Sequence, residues 1–238
     1  MIDRYKKKID NFVGFDFVES LESLDCFIFG GALRDIIADN KIHGDIDIVA
    51  GKDSAALIAD ILEYEGFESV KGNELNEYPV DIFDYPITKR KGSVEVQIII
   101  PNSVAIEVDK VLKRKVVIDE KTLQGRHRFC NGSSLDGYSR NYCQAPLEMK
   151  KNCEKYLPDE LRGIINHELL KFVSNVDLTC CALAYHPKKG TQKLHPLAIK
   201  HCKRKVFQVL EDNLLHHPDR LRKRGMKLIK RGWEETND

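Results

Sequence analysis

The chain has no uninterrupted apolar run approaching the ~18 residues that a membrane-spanning helix requires, so no helical span is expected. Its first residues, Met1-Ile2-Asp3-Arg4-Tyr5-Lys6-Lys7-Lys8, are basic but lead into no apolar stretch, unlike a secretory signal. The Lys6–Lys8 run itself reads as a solvated helix face. Cys-x-x-Cys pairs are missing as well. The seven cysteines are odd in number, and Cys26, Cys180 and Cys181 sit inside apolar runs. That pattern disfavours a disulfide framework and predicts reduced thiols in an intracellular, cytoplasmic setting. His127, Cys130, Cys143 and Cys153 share one polar stretch, yet their spacing fits no standard zinc site, and they read as ordinary thiols beside a histidine. An excess of either charge is also lacking: 38 Lys and Arg face 37 Asp and Glu, for a net charge of +1. The 238 residues suffice for one large domain, or one domain with a small appendage.

What is present is concentrated in one stretch. Cys26-Phe27-Ile28-Phe29 is apolar and short enough to be a single buried strand. Gly30 and Gly31 interrupt it. Leu33, Ile36 and Ile37 then recur at helical spacing, so a helix opens at the glycines. Asp45 to Val49 alternates with period two, a strand that places Asp45 and Asp47 on one face. Each half has a chemical use. A glycine turn lets backbone N–H groups approach a phosphate, and a helix N-terminus adds partial positive charge. Paired aspartates hold hard cations such as Mg²⁺, which leaves coordination positions for substrate phosphates. Two such ions can clamp the attacking and leaving oxygens of a phosphoryl transfer. Either half alone is an ordinary turn or a pair of solvated acids; their succession within a few turns of chain is the signal.

The run Phe29-Gly30-Gly31-Ala32-Leu33-Arg34-Asp35, followed by Gly44-Asp45-Ile46-Asp47-Ile48, resembles the opening motif of the nucleotidyltransferase superfamily. Its nearest flavour is the head domain of class II tRNA nucleotidyltransferases and bacterial poly(A) polymerases. The resemblance implies a polymerase-β-like α/β fold, a mixed sheet flanked by helices. It also implies metal-dependent transfer of a nucleotide from a nucleoside triphosphate such as ATP. Val176-Asp177-Leu178-Thr179-Cys180-Cys181-Ala182-Leu183-Ala184 is similar to the Asp-Phe-Thr-Ile-Asn-Ala-Leu-Ala segment of the same head domains. Two arginines usually precede that aspartate in the family. Asn175 and Val176 stand there in this chain, which removes two phosphate-directed charges. Asp177 either serves the site or closes its strand through a hydrogen bond.

The rest of the chain supplies the setting. Ile2, Tyr5, Ile9 and Phe12 predict an opening helix; Asp53 is a plausible N-cap for a helix over 54–64, with Gly66 at its stop. Tyr78–Ile87 is mixed and holds a further strand. Along the strand 93–100, Val94, Val96 and Ile98 share one face and Glu95, Gln97 and Ile99 the other. Glu95 is the candidate third carboxylate, against an exposed strand residue as the plain alternative; Asp81, Asp84 and Asp177 are its rivals. Residues 101–165 read as an insertion, with alternation at Val104–Val108 and Val116–Ile118. Its polar loops carry Arg126, Arg128 and Arg140, which could reach substrate phosphates. A helix over 159–172 follows, with Leu161, Ile164, Ile165, Leu169 and Phe172 on its apolar side.

The division expected is a head domain over 1–185, containing the insertion, and a basic helical region over 186–238. That region is rich in Lys and Arg. A helix starting at Pro218 would rest on Leu221, Met226, Leu228 and Ile229 and stop at Gly232. A basic surface near such a site favours a polyphosphate or nucleic-acid ligand. In full-length class II enzymes an Asp and an Arg on one neck helix read the incoming base; Asp219 and Arg222 are a faint echo of that pair. The resemblance covers residues 24–100 and 166–232. It implies two Mg²⁺ ions on Asp45, Asp47 and Glu95, triphosphate contacts from Gly30, Gly31 and Arg34, and an RNA 3′ end as acceptor. Arg34 would touch phosphate or hold the aspartate strand through a salt bridge. Nucleotidylation of a protein or small molecule, and a non-catalytic nucleotide- or RNA-binding relative, remain the alternatives.

Overall fold

The computed structural model describes residues 4–70, 83–101, 159–210 and 218–237, with backbone alone at 83–86, 159–161 and 218–220. The expected strand residues 78–82, the alternating runs 104–118, Asp81, the loop arginines 126, 128 and 140, and the His127/Cys130/Cys143/Cys153 group lie outside the described residues.

Helix α1 (Arg4–Val13) lays Ile9 and Val13 into the core, and a single turn, α2 (Phe17–Ser20), buries Phe17 and Val18. Lys6 of α1 pairs with Glu19 at 3.2 Å and Glu22 at 3.6 Å, the solvated use expected of it. Strand β1 (Cys26–Phe29), helix α3 (Gly31–Asp39) and strand β2 (Ile46–Ala50) follow as the sequence pattern predicts. Helix α4 (Lys52–Tyr64) differs in its cap. Gly51 occupies the N-cap position, its carbonyl accepting Ala55 N–H at 2.8 Å, and Asp53 sits inside the first turn. Burial pushes the Asp53 carboxyl up to about 6, against the opposing charge of Lys52.

Strands β3 (Glu68–Ser69), β4 (Phe83–Lys91) and β5 (Val94–Pro101) precede helix α5 (Asp159–Ser174). A short 3₁₀ turn (Thr179–Cys181) leads into β6 (Leu183–His186) and β7 (Gly190–Lys193). The chain closes with α6 (Ala198–Arg204), β8 (Val206–Phe207), α7 (Pro218–Ile229) and β9 (Glu234–Glu235). Among the described residues, seven strands form one mixed sheet in the order β3-β4-β5-β2-β1-β6-β7, with β2 and β5 parallel and the other pairs antiparallel. β8 and β9 make a separate parallel pair. β7 extends the main sheet beyond residue 185, so the sheet crosses the expected domain boundary.

The period-two alternation sorts side chains onto two different faces. Cys26, Ile28, Ile46, Ile48, Val96 and Ile98 fall on one, packed into the main core with residues of α1 to α4 and α6. Phe27, Val49 and Ala184 fall on the other, beneath Ile165, Leu169 and Val173 of α5. The buried stripe of α5 thus runs 165–169–173; Phe172 lies at its margin, edge-on to Phe29 with ring centroids 6.4 Å apart. Asp47, between Ile46 and Ile48, is on the α5 side of the sheet. The four described cysteines, Cys26, Cys180, Cys181 and Cys202, are buried and form no disulfide.

Candidate functional site

The end of β1 and the start of β2 meet because the two strands pair with Phe29 opposite Asp47. At that point Gly30 turns with φ +73° and ψ −129°, a conformation that L side chains avoid, and becomes the N-cap of α3. Its N–H is taken by Leu183 O at 3.2 Å, while Arg34 N–H donates to Gly30 O at 3.3 Å and starts the helical ladder. The N–H groups of Gly31, Ala32 and Leu33 therefore have no acceptor within the helix. A Cβ placed on Gly30 would lie 3.6 Å from Asp47 Oδ2, so the carboxylate sits beside the positive end of α3.

Asp45 stands immediately before β2 and, like Asp47, is half-buried, while Ile46 and Ile48 are fully enclosed. In the parallel β2–β5 pair, Ile46 is opposite Val96 and Asp47 opposite Gln97. Continuing that register sets Asp45 level with Glu95. Asp45, Asp47, Glu95 and Gln97 are thus neighbours on one side of the sheet. Both oxygens of the Glu95 carboxylate are already bonded. β4 places Arg90 opposite Glu95, and Arg90 Nε donates to Glu95 Oε2 at 3.0 Å while Nη2 contacts the same oxygen. Gln97 Nε2 donates to Oε1 at 3.0 Å. Partial burial works to raise the Glu95 carboxyl, but the bonds from Arg90 and Gln97 prevail and hold it below its ordinary value. The strands thus bring Glu95 beside the aspartates, and its carboxylate is bonded to Arg90 and Gln97. Among the described residues, no three His, Cys, Asp or Glu side chains converge on a metal-sized space.

Arg34 points inward. It is buried, and its guanidinium folds back along α3 to Asp35, with Nε at 2.9 Å and Nη2 at 2.8 Å from Oδ1. Nη1 lies 3.4 Å from Cys181 Sγ, and the group stacks 5.6 Å above the Trp233 ring. Its ion pair is thus made with Asp35. Asp177 is fully buried. Its Oδ2 accepts Arg224 Nη1 at 2.7 Å and its carbonyl accepts Leu210 N–H at 2.9 Å, so it closes the C-terminal helix onto the head. Arg222 is exposed on α7, and the Asp219 side chain lies outside the described residues.

The outer face of α7 departs from the expected packing as well. Met226 and Ile229 are 48% and 44% exposed, whereas Leu228 is buried and Gly225 rests against Phe207. Arg222, Lys223, Met226, Lys227 and Lys230 line a shallow groove of about 440 Å³. Periodicity indicated this helix but not which of its apolar residues faced in, because cations occupy both sides.

No family model matches the chain, and no curated protein is found similar to it. Among solved structures, a CCA-adding enzyme in complex with ATP is 16% identical, with a TM-score of 0.47, over 97% of this chain and 39% of that one. A tRNA-processing enzyme in an apo form is 14% identical, with a TM-score of 0.42, over 97% of this chain and 44% of that one. The chain spans about two-fifths of the length of these structures.

Proposed function

We propose that the chain is a Mg²⁺-dependent nucleotidyltransferase that moves a nucleoside monophosphate from a nucleoside triphosphate to an acceptor hydroxyl. The observation that carries this reading is the placement of Asp47 beside the Gly30 turn at the N-terminus of α3, with Asp45 two residues away. Asp45 has no hydrogen-bond or ion-pair partner among the described residues, and the two carboxylates are the hard oxygen donors Mg²⁺ prefers. Asp45 and Asp47 would hold the metal. Bound there, it would neutralise charge developing on the phosphate oxygens.

The chain's own part is orientation. N–H groups at the start of α3 would donate to triphosphate oxygens, and Gly30 supplies the positive-φ turn that presents them. The acceptor oxygen would attack the α-phosphorus as its proton passes to solvent water. A new P–O bond forms, the bond to the β-bridging oxygen breaks, and pyrophosphate leaves. Glu95 would join the set only by exchanging its Arg90 partner. Support for an RNA 3′ end as acceptor comes from the cationic outer face of α7, where Arg222, Lys223, Lys227 and Lys230 recur at helical spacing.

The test incubates the protein with each labelled nucleoside triphosphate, Mg²⁺ and total cellular RNA, beside Asp45→Asn and Asp47→Asn. Label entering RNA with the native chain alone is expected, with losses of about 100-fold or more in the variants. Label on protein would redirect the acceptor, and salt-insensitive transfer would argue against RNA. Nucleotide binding without pyrophosphate release would favour the non-catalytic reading, to which Asn175 and Val176 lend some support.

A further inference from the structure

Asp35 ties α3 to two other segments, the loop at His43 and the chain beyond α7. It is 1% exposed. Its Oδ1 accepts Arg34 Nε and Nη2, and also Arg231 Nη2 at 3.0 Å from beyond the end of α7. Its Oδ2 accepts the backbone N–H of His43 at 3.2 Å. One turn further along α3, Asp39 repeats the arrangement. Its Oδ2 lies 3.2 Å from His43 Nε2 and 3.8 Å from Arg231 Nη2, and its Oδ1 lies 2.6 Å from Lys205 Nζ. The two carboxylates that hold His43, by main chain and side chain, are thus the two that hold Arg231. Only Gly44 separates His43 from Asp45.

Two acids one turn apart on a helix repel each other. A cation between them offsets that repulsion and fixes both carboxylates as acceptors for the loop. The rest of this C-terminal segment is tied down independently. Trp233 is buried under Arg34, and β9 pairs with β8.

We propose that Arg231 is a positioning residue for Asp45, acting through Asp35, Asp39 and His43. This rests on the nucleotidyltransferase reading for its consequence in turnover, though not for its structural content. The segment that bears the cationic face of α7 thereby ends on the loop that aims the first aspartate. A misplacement of order 1 Å at a reacting centre costs about 100-fold, so even partial release of this loop is measurable.

The experiment compares the native chain, Arg231→Lys and Arg231→Met by amide hydrogen exchange and by transfer kinetics. In Arg231→Met, exchange at residues 43–45 is expected to rise about 10-fold with the sheet unchanged. kcat should fall about 10-fold or more while KM for the nucleotide stays within about twofold. Arg231→Lys, which restores a cation between the two acids, should recover most of both. Unchanged exchange at 43–45 in Arg231→Met would overturn the proposal. So would equal losses in Lys and Met accompanied by faster exchange throughout the sheet, the mark of a merely structural role. Should the native chain transfer no nucleotide, the enzymatic reading fails and the exchange comparison still decides whether Arg231 orders the loop.

Discussion

Asp177 Oδ2 and Arg224 Nη1 lie 2.7 Å apart, and the aspartate has no exposed surface. The pair joins the segment entering the 3₁₀ turn to helix α7, across 47 positions of sequence. Its other oxygen, Oδ1, is buried with no hydrogen-bond partner among the described residues, so Arg224 carries the compensation. Removing one member of such a pair strands a buried charge. Arg224→Met is expected to cost about 3 kcal/mol in urea unfolding, and Asp177→Asn in the Arg224→Met background should recover part of it. Additive losses would show that the two do not depend on each other.

The Gly-Gly turn separates two kinds of glycine. Gly30 holds a positive φ, and Gly31 is the first helical residue, where an added Cβ would meet only the end of the Arg34 side chain at 3.4 Å. Gly30→Ala is expected to cost about 1–3 kcal/mol, and Gly31→Ala to remain within about 1 kcal/mol of the native chain. Thermal unfolding of the two variants checks the difference.

Glu95→Gln tests stability and nucleotide transfer separately. Its pair with Arg90 is partly exposed, so Glu95→Gln should change stability by less than about 1 kcal/mol. The folded-state carboxyl is lowered, hence its small contribution is present above the ordinary carboxylate range and fades as pH falls through it. A fall in transfer of about 100-fold in Glu95→Gln, with near-native unfolding, would place Glu95 in the metal set. Native turnover would leave it to the Arg90 pair alone.

His186 predicts an acid-side slope. Burial pushes its imidazole down to about 4, and Lys189 and Lys188 act in the same direction. The geometry agrees: Nδ1 accepts the backbone N–H groups of Lys188 at 3.1 Å and Lys189 at 3.3 Å, and the ring meets Phe27 edge-on. Between about 4 and its ordinary value near 6.5 the unfolded chain binds the proton and the folded chain does not. Stability from this group is therefore complete above about 6.5 and declines as pH is lowered towards 4. Urea midpoints measured across that window should fall in the native chain and flatten in His186→Gln.

Local sequence alone determined the strand–turn–helix–strand unit around Gly30, the alternation that set Glu95 and Gln97 apart from Val96 and Ile98, and, through the fixed φ of proline, the start of α7 at Pro218. These follow from backbone geometry that repeats every two or 3.6 residues, so a short window of sequence contains the whole cause. Orientation of the charged groups was decided by tertiary structure. Glu95 turns to Arg90 because the β4–β5 register sets them opposite each other, a matter of hairpin pairing rather than composition. Arg34 is drawn inward by Cys181 and Trp233, 147 and 199 positions away, and Asp35 receives Arg231 from 196 positions away. A carboxylate or guanidinium takes whichever partner the folded chain brings within hydrogen-bond distance, and contacts so remote leave no periodic trace in the sequence.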